Sequence, residues 1–257
     1  MPHVDIPSAR LWYEEAGRGQ PLVCLHSGWG RLAMPFDDAA AVLGPSHRLI
    51  FPDRRGYGRS TPQDELPVTY HRDAVVDLGH FLDALSLERV PLWGHSDGAI
   101  SAALFAADHP ERVSALVLEA IHFHRAKSRE FFERFAEKPD SLPPAVIERL
   151  RADHGDERWR TVIRMHSRVW LSFHAIGGDF YEGRLETIRC PVMLLYGEGD
   201  PHTAPSEVAE LARHLAHATL QPVPAGGHSP HSEPATARFF CSVGPVTRIG
   251  EVTLLAR

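Results

Sequence analysis

Cysteine is scarce. The three in 257 residues, Cys24, Cys190 and Cys241, are too few and too scattered for a disulfide framework or a thiolate zinc site. No stretch approaches the roughly 18 apolar residues of a membrane span. Basic blocks are missing too: 27 Lys and Arg against 33 Asp and Glu leave a net charge of −6, which argues against a nucleic-acid partner. The opening MPHVDIPSAR has neither the cationic start nor the apolar core of a signal peptide. There is no internal repeat and no low-complexity tract. These absences predict a reduced, cytoplasmic protein that works away from membranes and nucleic acid; they do not choose between a monomer and a homodimer. With 43% hydrophobic and 23% charged residues, the chain has the balance of an ordinary globular protein, the size of one large domain or one domain with an insertion.

What is present is alternation. Arg10 to Glu15, Gln20 to His26, His47 to Phe51, Val90 to Trp93, Val113 to Glu119, Pro191 to Tyr196 and Ala218 to Pro222 read as strands. Several are nearly all apolar, as strands covered on both faces must be. Tyr70 to Leu85, the stretch after Ser96 and Glu207 to Ala216 read as helices. Strand–helix alternation predicts an α/β protein with a mostly parallel sheet. Residues 121–189 break it. Trp159, Val162, Ile163, His166, Val169, Trp170 and Phe173 make one apolar helix stripe, and Phe131, Phe132 and Phe135 mark another. This stretch is expected to be a helical cap, with 1–120 and 190–257 forming the core.

The chemistry-bearing signal is Gly94-His95-Ser96-Asp97-Gly98, a G-x-S-x-G set between the strand VPLW and an apolar helix. A serine on a tight strand-to-helix turn needs small neighbours, and the turn lifts its hydroxyl above the sheet. A serine hydroxyl is inert near neutral pH, so it requires a base and a group to orient that base. Gly197-Glu198-Gly199-Asp200-Pro201 follows one strand and Ala225-Gly226-Gly227-His228-Ser229 follows the last. Strand carboxyl ends in a parallel sheet share one edge, so Ser96, Asp200 and His228 can meet there as nucleophile, orienting acid and base. Glu119, at the end of another strand, is the fallback acid, and His231 is read as helix-start decoration. The amide of Asp97, with that of Gly28 or Trp29 in His26-Ser27-Gly28-Trp29-Gly30, would form an oxyanion hole; spacing does not choose between those two. His95, His122, His124 and His166 are the remaining candidates for a substrate pocket. Position on the apolar stripe favours burial of His166 between cap and core. His122 and His124 have only i, i+2 spacing and no third ligand, so no metal is expected.

In these motifs the chain resembles the α/β-hydrolase fold superfamily of serine esterases, lipases, peptidases and C–C hydrolases. The resemblance rests on G-H-S-D-G, on L-H-S-G-W-G, on Asp53-Arg54-Arg55-Gly56-Tyr57-Gly58-Arg59-Ser60, and on G-E-G-D and G-G-H downstream in order. It spans about 22 to 235 and implies an eight-stranded-type sheet flanked by helices. Ser27 stands where the family usually has glycine, and the segment after Phe240 is β-like where a final helix normally continues. The implied activity is cofactor-free hydrolysis of a small acyl substrate, a carboxylic ester first, through an acyl-enzyme. A ligand receptor with little catalysis, or a lyase or C–C hydrolase using the same three groups, is the alternative.

Overall fold

In a computed structural model of the protein, residues 2–33 and 35–232 are described. The C-terminal segment 241–257, expected as an added strand, arm or tail, lies outside the described residues, as does Cys241. Among the described residues eight strands form one sheet: β1 (His3–Ile6), β2 (Ala9–Gly17), β3 (Gln20–Leu25), β4 (His47–Pro52), β5 (Val90–His95), β6 (Val113–Glu119), β7 (Val192–Gly197) and β8 (Thr219–Val223). Their order is β1-β2-β4-β3-β5-β6-β7-β8. Only β1–β2 and β2–β4 pair antiparallel; every pair from β4 to β8 is parallel. β1 is absent from the sequence reading because it has four residues and sits at the edge, where neither length nor burial on both faces marks a strand.

Side-chain alternation divides the central strands between two apolar layers. Leu22, Cys24, Trp93, Val117, Met193 and Leu195 face one side, where α1 (Asp37–Leu43) contributes Ala39 and Leu43. Val23, Leu25, Leu92, Leu116, Leu118, Val192 and Leu194 face the other. There α2 (Tyr70–Ala84) and α3 (Asp97–Asp108) supply Leu78, Phe81, Leu82, Ile100 and Phe105. Burial on both faces is what makes these strands read as unbroken apolar runs.

Between β6 and β7 the chain forms α4 (Arg129–Glu137) and α5 (Pro144–Ile176), with short 3-10 turns around them. The seven-position stripe from Trp159 to Phe173 lies on α5 and is buried throughout. α5 bends at Gly155, whose φ of 81° breaks the helical backbone. Phe135, Leu150, Trp159 and Ile163 pack with Ala33 and Trp29 of the loop after β3, while Val169, Trp170 and Phe173 join the main core. The two helices are therefore fastened to the sheet edge where the parallel strands end. α6 (Pro205–His214) completes the described helices.

Candidate active site

The Gly94–Gly98 turn is strained in the way its sequence requires. Ser96 has φ 53° and ψ −117°, a region L-residues avoid. A Cβ on Gly94 would lie 2.4 Å from the Gly98 carbonyl oxygen, and one on Gly98 would lie 2.2 Å from that of Leu25. Both positions thus admit only glycine. The Ser96 amide donates to the Glu119 carbonyl at 2.9 Å, tying the turn to β6.

Asp200 and His228 leave the ends of β7 and β8 and reach the same point. His228 Nε2 is 3.1 Å from Ser96 Oγ. His228 Nδ1 is 2.9 Å and 3.1 Å from the two Asp200 oxygens. A carboxylate only accepts, so the His228 proton sits on Nδ1 and Nε2 is left to accept from the serine. Burial alone would raise the Asp200 carboxyl. The hydrogen bond and charge of His228, the His202 amide and the Thr203 hydroxyl outweigh it and hold Asp200 below the usual range.

Ser96 and His228 open onto a cavity of about 170 Å³, also lined by Ser27, Gly28, Trp29 and Asp97. Gly28 is fixed by space, since a Cβ there would fall 1.9 Å from His166 Nε2 and 2.3 Å from Asp97 Oδ2. The loop is held by the Asp53–Ser60 turn: Arg54 Nη2 donates to the Ser27 carbonyl at 2.7 Å, and the Arg54 amide donates to His26 Nε2 at 3.0 Å. His26 therefore carries its proton on Nδ1, which donates to the same Ser27 carbonyl at 2.7 Å.

Beneath the site a second acid and imidazole pair is locked away. Glu119 Oε1 accepts the His231 amide at 2.8 Å and His231 Nδ1 at 2.7 Å; Oε2 accepts Trp93 Nε1 at 2.8 Å. His231 Nε2 donates to the Pro35 carbonyl at 2.9 Å. Both ring nitrogens face acceptors, so His231 is an imidazolium. Burial opposes that charge, but Glu119 overrides it and raises His231 above the ordinary value. His231 is thus not helix decoration but a fully buried clamp on the loop that carries His228, and Glu119 is already engaged. His95 also differs from expectation. It does not line the cavity; it is fully buried and its Nε2 donates to the His228 carbonyl at 2.7 Å. Nor does His124, which is exposed and pairs with Glu210 at 2.8 Å.

His122 and His166 do line it. His166 reaches down from α5 and donates from Nε2 to Asp97 Oδ2 at 3.0 Å; His71 Nε2 and Trp170 Nε1 donate to Oδ1 at 2.9 Å and 3.3 Å. Sequence reasoning missed His71, Lys127, Phe131, Phe132, Trp170 and His202 as contributors around the cavity. His202 carried the one usable signal, standing two residues after Asp200; its amide donates to Asp200 Oδ1 at 2.8 Å. Among the described residues, no group of three or more His, Cys, Asp or Glu side chains is placed to hold a metal ion. No helix among them is long and apolar enough to cross a membrane.

Five imidazoles around this site are held neutral, each chiefly by burial. His26, His71 and His122 lie well below the ordinary value, His95 at about 3 and His202 at about 4. Below pH ~6.5 the unfolded chain binds protons that the native state refuses, so stability is full above that value and is lost as pH falls. Each such histidine adds a slope of up to about 1.4 kcal/mol per pH unit. Urea midpoints measured at pH 7, 6 and 5 are expected to fall steeply together; midpoints that hold level to pH 5 would contradict neutral burial.

A doubly covered, mostly parallel sheet with a serine on a strained turn and a histidine–carboxylate pair beside it defines the hydrolase-fold class of protein. The comparisons agree. Residues 20–169 match the alpha/beta hydrolase fold family, and the chain belongs to it. It is 24% identical over 234 residues to "Serine hydrolase BPHL" of Homo sapiens, covering 89% of this chain and 80% of that protein. It is 35% identical over 166 residues to "Proline iminopeptidase" of Xylella fastidiosa (strain Temecula1), covering 63% of this chain and about half, 52%, of that protein. The meta-cleavage product hydrolase from Pseudomonas fluorescens IP01 superposes with a TM-score of 0.76 at 17% identity over 98% of each chain, a likeness of fold.

Proposed function

We propose that the protein is a serine hydrolase of small acyl substrates, a carboxylic ester first, working through an acyl-enzyme. The observation that carries this reading is the unbroken relay from Asp200 through His228 to Ser96 Oγ, with contacts of 2.9 Å and 3.1 Å. Ser96 attacks the acyl carbon and gives its proton to His228, which passes it to the leaving oxygen. Asp200 fixes the tautomer and supports the imidazolium. The amides of Asp97 and of Gly28 or Trp29 hold the developing oxyanion. Water then enters through the same histidine and releases the acid. The helices of 121–189 serve as a roof, supplying Phe131, Phe132, His166 and Trp170 to a cavity suited to a small group.

The relatives named iminopeptidase make an aminoacyl substrate the competing reading. A free amino terminus calls for an uncommitted carboxylate. Asp97 is the only acidic side chain among the described lining residues, and it already takes His71, His166 and Trp170. That favours an ester. Labelling with a fluorophosphonate probe, followed by turnover of p-nitrophenyl butyrate, a γ-lactone and a prolyl naphthylamide, tests both. The ester is expected to exceed the prolyl amide by at least about tenfold in kcat/KM. The reverse order would replace the ester reading with the peptidase one, and absence of labelling would remove the nucleophile.

A further inference from the structure

Ser96 Oγ is approached by two imidazoles. Beside His228, the Nε2 of His122 stands 3.4 Å away. His122 is 5% exposed, and its ring lies nearly parallel to that of His228, 13° apart with centroids at 5.5 Å. Trp170 meets it edge-on at 5.3 Å. Its backbone is clamped: the Tyr181 hydroxyl donates to the His122 carbonyl at 2.7 Å, and Glu207 Oε1 accepts the amides of Phe123 and His124 at 2.7 Å and 3.0 Å. A ring held this firmly against the nucleophile has no part in the relay described above.

The protonation of the ring follows from its surroundings. The serine has one hydroxyl proton, and His228 Nε2 is its acceptor because Asp200 keeps that ring's only N–H proton on Nδ1. A nitrogen facing the remaining lone pairs of Oγ is attracted only if it carries hydrogen. Thr203 Oγ1, which gives its proton to Asp200, lies 3.5 Å from His122 Nδ1; it is the longer of the two polar contacts the ring makes, and the shorter one, to the serine, sets the tautomer. Burial, with Lys127 and His228 nearby, keeps the ring uncharged. A neutral ring can stack on His228 when that residue becomes an imidazolium.

We propose that His122 is a second catalytic imidazole whose Nε2–H hydrogen-bonds Ser96 Oγ as that oxygen leaves the acyl carbon during deacylation. The proposal rests on the serine hydrolase reading and assigns this residue a step within it. In deacylation, water adds to the acyl carbon and gives a proton to His228. The C–Oγ bond then breaks, its electron pair goes to Oγ, and His228 returns the proton there. His122 transfers nothing. The contact is long at rest and strengthens as charge gathers on the departing Oγ, so it stabilises that transition state more than the ester before it. In acylation Oγ is the attacking atom and loses electron density, so the same donor helps little.

The test is pre-steady-state release of p-nitrophenolate from p-nitrophenyl butyrate, with acyl-enzyme measured by intact mass. His122→Leu keeps the bulk and removes the donor. It is expected to slow deacylation about 10- to 100-fold and to accumulate acyl-enzyme, with acylation changed less than about threefold. His122→Gln, which offers an amide N–H in much the same place, is expected to recover most of the loss. Equal slowing of both steps, or a Gln variant no better than Leu, overturns the proposal. If the wild type forms no acyl-enzyme, the hydrolase reading fails first and takes this assignment with it; normal wild-type acylation with unchanged deacylation in His122→Leu removes the assignment alone.

Discussion

Replacing Ser96 with alanine is expected to lower kcat by about 10⁶-fold, the scale on which a triad serine works, while leaving the fold intact. The loss is large because, among the described residues, the hydroxyl is the one nucleophile to which His228 Nε2 is aimed, at 3.1 Å. Stability should change little or improve. Ser96 sits at φ 53°, a strained position that alanine occupies no worse than serine, and its amide still donates to the Glu119 carbonyl. Circular dichroism and urea midpoints should therefore overlay those of the wild type, and fluorophosphonate labelling should vanish. The oxyanion amides and the cavity remain, so a residual rate above that of water, of order 10³-fold, is expected. A Ser96→Ala protein that still turns over within tenfold of the wild type would place the nucleophile elsewhere and undo the proposed mechanism.

The parts of this molecule legible in the sequence are those written in local order. Runs such as VSALVLE show burial on both faces, and the 94–98 turn shows its glycines, each of which the structure packs against backbone. What was not legible is carried by contacts between segments far apart. Nothing near Asp97 announces that His71 from α2 and His166 and Trp170 from α5 will close on its carboxylate. Nor does anything near Glu119 announce an imidazolium 112 residues away. With 17 histidines in the chain, residue type alone could not separate His231, a buried clamp, from His124, an exposed one. Each depends on which strand end the loop meets, and that is a property of the sheet order.

That sheet edge brings together three carboxylates and the imidazoles that satisfy them. Glu119 holds both an amide and a ring nitrogen of His231, whose other nitrogen is committed to the Pro35 carbonyl. Asp97 takes one ring nitrogen each from His71 and His166. Only Asp200 pairs with a ring whose second nitrogen faces the serine hydroxyl. The assignment of His228 as base thus follows from elimination within the site as well as from its distance to Ser96. The clamp at Glu119 and the donation from His95 to the His228 carbonyl hold that ring's loop from below.

Asp200→Asn separates the two acids that the sequence offered for one role. The His202 amide donates to Asp200 Oδ1 at 2.8 Å, so in the variant the amide oxygen keeps that place and the NH₂ takes the Oδ2 position, 2.9 Å from His228 Nδ1. A donor facing Nδ1 drives the ring proton to Nε2, which can then no longer accept from Ser96. The expected fall in kcat is about 10⁴-fold with the fold retained. Glu119 cannot step in, because it is fully buried, takes three N–H donors and is neutralised by His231. The double variant Asp200→Asn with Glu119→Gln should therefore lose stability, by unpairing the His231 charge, yet show little further loss in kcat under conditions where it is folded. An Asp200→Asn protein within about tenfold of wild-type kcat, made slower again by Glu119→Gln, would move the orienting acid to the end of β6 and require the loop after β8 to swing toward it.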